Sequence, residues 1–187
     1  LGGLQVTKSY MLRMPFVHRW DIMDIQVKKL EVARKGKEGL ICQDNIRADI
    51  EVAFYVRVDP AEANIKEVAE AVGCERASEI ELLRSLFEAK FSDALKAAGK
   101  QMDFADLYTK RTEFRNMIIN EIGKDLNGYK LEDVAIDYLE QTARDDHDPE
   151  NVLDAQGIEK INRITAQMEE DTNKRTQQKD VEIKDQN

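Results

Sequence analysis

The chain is predicted to be α+β: an antiparallel β-sheet packed with several helices, followed by the start of a long C-terminal coiled-coil helix. Three observations carry that expectation. The stretch IRADIEVAFYVRVD alternates Ile46, Ala48, Ile50, Val52, Phe54, Val56 and Val58 with mostly polar positions, the period of a half-buried strand. Between Pro60 and Gly128 the apolar residues recur instead at threes and fours, the period of helices that bury one face. KLEDVAIDYLEQ then returns to alternation, so a last strand follows the helices and is expected to pair back with the early ones.

Taken in order, DIMDIQVKKLEV places Ile25 and Val27 on one parity and Leu30 and Val32 on the other, which predicts a strand with a bulge at Lys28 and Lys29. RKGKEGLICQDN, with Gly36 and Gly39, reads as the hairpin connection to the long strand. Asp59-Pro60 ends that strand, because proline lacks the ladder donor yet fits a first helical turn. A helix over 61–72 stops at Gly73. A second, from Ser78, carries Ile80, Leu83, Phe87, Phe91, Ala94, Leu95 and Ala98 on one face, with a Ser78/Glu81 capping box and Gly99 as its cap. A third begins near Asp103, uses Phe104, Leu107, Phe114, Ile118, Ile122 and Leu126, and closes at Asn127-Gly128. The last strand sets Val134, Ile136 and Tyr138 against Asp133, Ala135 and Asp137.

Two regions follow from this: residues 1–148, with 1–59 mainly strands, 60–128 helices and 129–142 a strand, and residues 149–187, the start of a helical region. At their junction Asp148-Pro149 and Asp154 read as alternative helix caps. Beyond them Ile158, Ile161, Ile164 and Met168 form an apolar stripe that thins to Val181 and Ile183. A lone helix leaves that stripe exposed and is marginal in water, so Ile158, Ile161, Ile164 and Met168 are the expected oligomerisation residues.

Of the 187 residues, 37 are acidic and 28 basic, a net charge of −9 that repels phosphate backbones, so nucleic acid is not an expected partner. The first 20 residues run the other way, with Lys8, Arg13 and Arg19 and no acid. There, YMLRMPFVHRW interleaves Tyr10, Phe16 and Trp20 with Arg13 and Arg19, the composition of a segment lying at a membrane interface; the alternative is an edge strand with exposed aromatics. No apolar run is long enough to span a bilayer, and the chain is expected to be a soluble fragment of a longer protein.

No constellation demands an enzyme. Asp145, Asp146, Asp148, Glu150 and Asp154 around His147 would suit a hard cation by composition, but lack the spacing of a calcium loop and read better as caps and solvated charge. Cys42 and Cys74 match neither a disulfide framework nor a CxxC pair, and are expected as small hydrophobes in a reducing compartment. His18 and His147 have no nucleophile in local reach, and Gly36 and Gly39 make no nucleotide loop. No cofactor, metal or catalytic residue is expected.

In order along the chain, GGLQVTKS, MPFVHRW, VKKLEV, NIRADIEVAFYVRVDP, LRSLFEAKFSDALKAAG, MDFADLYTKRTEF, LNGYKLEDVAIDYLEQT and HDPENVLDAQGIEKINRITA resemble the SPFH (Band 7, prohibitin-homology) superfamily, and within it the flotillin family of bacterial inner-membrane proteins. The resemblance covers nearly the whole chain. It implies a non-enzymatic, membrane-associated scaffold that oligomerises into a ring or cage, organises membrane microdomains and recruits client membrane proteins. It also implies a full-length protein at the cytoplasmic face of the inner membrane, reaching lipid through an N-terminal element this chain lacks. A prohibitin- or stomatin-like regulator of a membrane protease or channel is the alternative within the superfamily; a metal-dependent enzyme using residues 145–154 is the alternative outside it.

Overall fold

The computed structural model describes residues 4–8, 20–123, 126–148 and 150–185, with 180–185 described by backbone alone. Strand β1 (Lys28–Arg34), the two-residue β2 (Leu40–Ile41) and β3 (Arg47–Val58) form one antiparallel sheet with β4 (Tyr129–Gln141). β3 is its axis. Ala48 pairs with both Leu40 and Gln141, and Ile50 with both Arg34 and Leu139, so β1 and β2 share one edge of β3 while β4 takes the other. The last strand therefore returns to the early ones as its alternation predicts.

The alternating residues of β3 behave as read: Ala48, Ile50, Val52, Phe54, Val56 and Val58 are all buried. Two other details of the sheet differ. β1 runs in unbroken register from Lys28↔Val56 to Arg34↔Ile50, without the bulge expected at Lys28 and Lys29. The parity change there arises because residues 20–27 lie outside the strand. The irregularities sit in β4 instead: register shifts opposite Tyr55/Val56 and Glu51/Val52 leave Glu132 and Asp137 as extra residues. The second shift turns Tyr138 off the core face and puts Leu139 on it, 3% exposed. A strict alternation through Tyr138 fails at that bulge.

Helices α1 (Glu62–Ala71), α2 (Ile80–Gly99), α3 (Phe104–Thr109) and α4 (Arg111–Ile122) cover the apolar face of the sheet. The contact is aromatic at its centre. Phe54 of β3 stacks on Phe91 of α2 with ring centroids 4.3 Å apart, Phe87 lies 5.6 Å from Phe91, and Tyr129 meets Phe87 edge-on at 5.2 Å. Each such ring taken out of water contributes about 1.5–3 kcal/mol, which makes this stack the main anchor of α2. The Tyr129 hydroxyl keeps a partner by donating to the Ala77 carbonyl at 2.8 Å.

Four helix boundaries shift from the sequence expectation. The Ser78/Glu81 capping box does not form, because the Ser78 hydroxyl donates to the Asp24 carbonyl and α2 starts at Ile80; its last residue is Gly99, one short of the cap. The expected third helix is two. Lys110, at φ −109° and ψ 46°, breaks the run between α3 and α4, and both Leu107 before it and Phe114 after it are fully buried. α4 then ends at Gly123 (φ 73°), while Asn127 (φ 52°) and Gly128 (φ 82°) form the turn into β4.

The outward face of the sheet is polar. Lys29 pairs with Glu31 and Asp137, Lys35 with Glu51, and Arg57 with Glu132. Helix α5 (Val152–Asp185) is 34 residues, which at 1.5 Å per residue spans about 51 Å. From residue 162 to 179 every side chain is exposed, so only its root meets the sheet and α1–α4.

Candidate functional site at the root of the C-terminal helix

Arg47 opens β3 on the parity of Asp49 and Glu51, the outward face, and alternation alone assigns it to solvent. It is 6% exposed. Its Nη1 donates to the carbonyls of Lys37 at 2.7 Å and Gly39 at 3.1 Å, so the turn before β2 wraps one side of the guanidinium. Its Nη2 and Nε donate to Asp154 Oδ1 at 2.7 and 3.1 Å. Asp154 is 2% exposed, and its other oxygen, Oδ2, accepts the Asp148 N–H at 3.0 Å. A buried carboxylate needs such partners to stay charged. Burial pushes the Asp154 carboxyl up, but the Asp148 N–H and the Arg47 guanidinium outweigh it and hold the group below its ordinary value.

Asp154 is thus not the cap of α5. The cap is Asn151, whose Oδ1 accepts the Leu153 N–H at 2.9 Å and whose carbonyl accepts the Ala155 N–H. Asp148 makes the preceding turn, its Oδ1 accepting the Glu150 N–H at 3.0 Å; Pro149 lies outside the described residues. His147, also buried, donates from Nδ1 to the Ala143 carbonyl at 2.9 Å, and its Nε2 has no hydrogen-bond partner among the described residues. Asp145, Asp146, Asp148 and Glu150 are exposed, and among the described residues no three metal-ligating side chains converge.

A second set of contacts comes from the turn between β2 and β3. Asn45 adopts φ 63°, a left-handed conformation asparagine tolerates, and its Nδ2 donates to Gln156 Oε1 at 2.9 Å. Its carbonyl faces the helix so closely that a Cβ on Gly157 would lie 2.3 Å from that oxygen. A glycine inside a helix costs about 1 kcal/mol relative to alanine, and here it permits the close approach. Asp44 Oδ2 pairs with Lys160 at 3.2 Å, while Oδ1 accepts the N–H groups of Ile46 and Phe104 at 3.3 and 3.4 Å. Arg144 reaches Asn162. The single turn 44–47 therefore holds α5 through residues 154, 156, 157 and 160.

The expected assembly stripe divides at this root. Ile161 is buried at 8% exposure and Ile158 is half-buried, whereas Ile164 is 38% and Met168 67% exposed. Of the expected membrane-proximal residues, Tyr10, Arg13, Phe16 and Arg19 lie outside the described residues; Trp20 is 52% exposed, with Ile22 and Val27 exposed after it. Among the described residues no helix is long and apolar enough to cross a membrane. Burial, reinforced by the charges of Asp44 and Asp103, pushes the Cys42 thiol up to about 12, and burial also raises Cys74, so both stay thiols rather than nucleophiles at neutral pH.

Arg47, Asp44 and Gly157 escaped the sequence reading. Arg47 looks like any outward strand residue, and its partner lies 107 positions away. Gly157 did carry a signal, since a lone glycine inside a helical pattern marks either a weak helix or a close contact.

The model of the SPFH domain / Band 7 family matches residues 8–182, so its match runs through the joint and along most of α5. The flotillin family inner membrane protein YqiK of Escherichia coli (strain K12) is 35% identical over 190 aligned residues, covering 100% of this chain and 34% of YqiK. The flotillin family inner membrane protein sll1021 of Synechocystis is 28% identical over 147 residues, covering 78% of this chain and 22% of its own length. The chain thus spans about a third or less of the relatives it matches. By the extent of the family match, and by an α+β sheet-and-helix fold that continues into a long helix, the chain belongs to the SPFH domain / Band 7 family.

Proposed function

We propose that this chain is part of a non-enzymatic, membrane-associated scaffold of the flotillin type, in which residues 1–148 form the membrane-proximal domain and 149–187 begin the helix through which copies assemble. The observation that carries the reading is the exposed apolar pair Ile164 and Met168 on the outer, largely polar and charged length of α5, in a chain similar to flotillin family inner membrane proteins. Side-by-side helices would bury that pair, with Glu159, Arg163, Glu169 and Glu170 setting register. Many weak contacts of this kind become firm by multivalency in a ring or cage that encloses a membrane microdomain and recruits client proteins. Tyr10, Arg13, Phe16, Arg19 and Trp20 supply the membrane contact, at the cytoplasmic face of the inner membrane.

Sedimentation equilibrium tests the assembly half. Weak, concentration-dependent association that disappears in the double variant Ile164→Ser, Met168→Ser supports it; a tight oligomer that survives deletion of 149–187 overturns it. Flotation with liposomes tests the membrane half. Flotation of the parent chain that is lost in Phe16→Ala, Trp20→Ala supports the contact, and equal flotation of both removes that stretch as the interface.

A further inference from the structure

We infer that docking of the α5 root is a releasable, autoinhibitory contact: the clasp of Asp44 and Arg47 on Lys160 and Asp154 hides Ile158 and Ile161, and opening it completes the apolar stripe that ends in Ile164 and Met168. The inference rests on the scaffold reading for what the stripe does, but the clasp itself stands on geometry.

The charged groups on the sheet side keep part of their partners when α5 leaves, and the atoms that lose theirs, Arg47 Nε and Nη2 and Asn45 Nδ2, face the space the helix vacates and pass to water. Arg47 retains the carbonyls of Lys37 and Gly39, and Asp44 retains the N–H groups of Ile46 and Phe104. On the helix side Asp154 and Lys160 pass into water, where charged groups are well solvated. Release therefore strands no buried polar atom, the penalty that normally makes breaking a buried pair costly. The apolar contribution is small, since the core beneath the sheet is built without α5 and the root adds Ile161, part of Ile158 and the cover over Ile46 beside Gly157. A segment held this way opens locally at less cost than the body it rests on.

Docking and assembly compete for one face. Asp154, Gly157 and Ile161 point into the clasp, and Ile158, Ile161, Ile164 and Met168 follow at three- and four-residue steps along the same side of the helix. With the clasp closed, only the distal half of that stripe is available. With it open, four apolar positions line up over about three turns, a length at which a helical seam begins to hold.

The test uses two variants that open the clasp by different routes. Asp154→Asn removes the charge that Arg47 binds, and Gly157→Ala puts a methyl where the Asn45 carbonyl lies 2.3 Å away while raising helix propensity. Spin labels at Glu88→Cys on α2 and Asn173→Cys on α5, in a Cys74→Ser background, report docking by their distance distribution. Hydrogen exchange of β3 and α2 reports the core, and sedimentation equilibrium reports association. The expected result is one narrow distance in the parent chain and a broad distribution in both variants, with core protection unchanged. Self-association should strengthen by about tenfold in both, the gain from burying one further aliphatic side chain, and vanish when Ile161→Ser is added. A narrow distance in either variant, a broad one in the parent, or loss of core protection together with docking overturns the clasp. Broad distances with no gain in association overturn the masking, whereas the Ile164→Ser, Met168→Ser variant judges the scaffold reading separately.

Discussion

The core beneath the sheet and the root of α5 are both buried, but by opposite means. The core is a stack of rings and aliphatic side chains, Phe54 on Phe91 on Phe87, whose stability grows with the apolar area removed from water and needs no particular partner. The root is a set of directed bonds, Arg47 to Asp154, Asp44 to Lys160 and Asn45 to Gln156, packed around a glycine. Non-directional burial tolerates small movements and gives cooperativity. Directed bonds fix one orientation and fail one by one. The comparison teaches that a chain can hold a folded body firmly and a 34-residue lever by its first few turns only.

The largest expected effect breaks the core. Phe91→Ala removes a fully buried ring stacked on both sides and should cost about 3–5 kcal/mol in urea denaturation, with docking of α5 lost in the same transition. Arg47→Ala comes next. If Asp154 stayed buried without its partner the cost would approach the core value, but the clasp lets α5 swing out, so the body should lose only about 1–2 kcal/mol while the label distance broadens.

Acid sharpens the same contrast. The docked Asp154 carboxyl is held below its ordinary value of 3.8, so it binds its proton more weakly than in the released helix. Docking is therefore favoured above that value and lost as pH falls through the depressed one, with Arg47, His147 and the Asp148 N–H acting on the carboxylate. The label distance should be constant above about pH 5 and broaden below about pH 4, with broadening that begins above pH 6 counting against Asp154 as the titrating group. The smallest effect lies along the exposed lever. Lys174→Ala removes an i, i+4 pair with Glu170 in which both side chains are over 60% exposed, and neither the unfolding midpoint nor the distance should move.

How much could be read in advance follows the same division. The core face of β3 was legible residue by residue, because a period of two in one strand and of three to four in the helices records which side meets the apolar interior. Leu83, Phe87, Phe91 and Leu95 fell where the spacing put them. Legibility declined where local rules compete. Ser78 satisfied the pattern of a capping box and was drawn instead to the Asp24 carbonyl, and a second bulge in β4 replaced Tyr138 by Leu139 on the core face. At the candidate site it was lowest. Asp154 presents every local sign of a helix cap, and only a guanidinium 107 residues away makes it something else.

The sequence by itself determined the class of fold, the order of its elements, the family, and the apolar stripe of α5, since each is written in composition or in a period along the chain. Tertiary structure alone decided that the stripe is half covered, that Gly157 faces the Asn45 carbonyl, and that Arg47 is buried on the outward face of the sheet. The physical reason is range. Periodicity reports how each residue meets a generic apolar or aqueous surround, whereas a directed bond depends on where two distant segments come to rest, and the position of α5 against the turn 44–47 exists only once the sheet has brought β3 and β4 side by side.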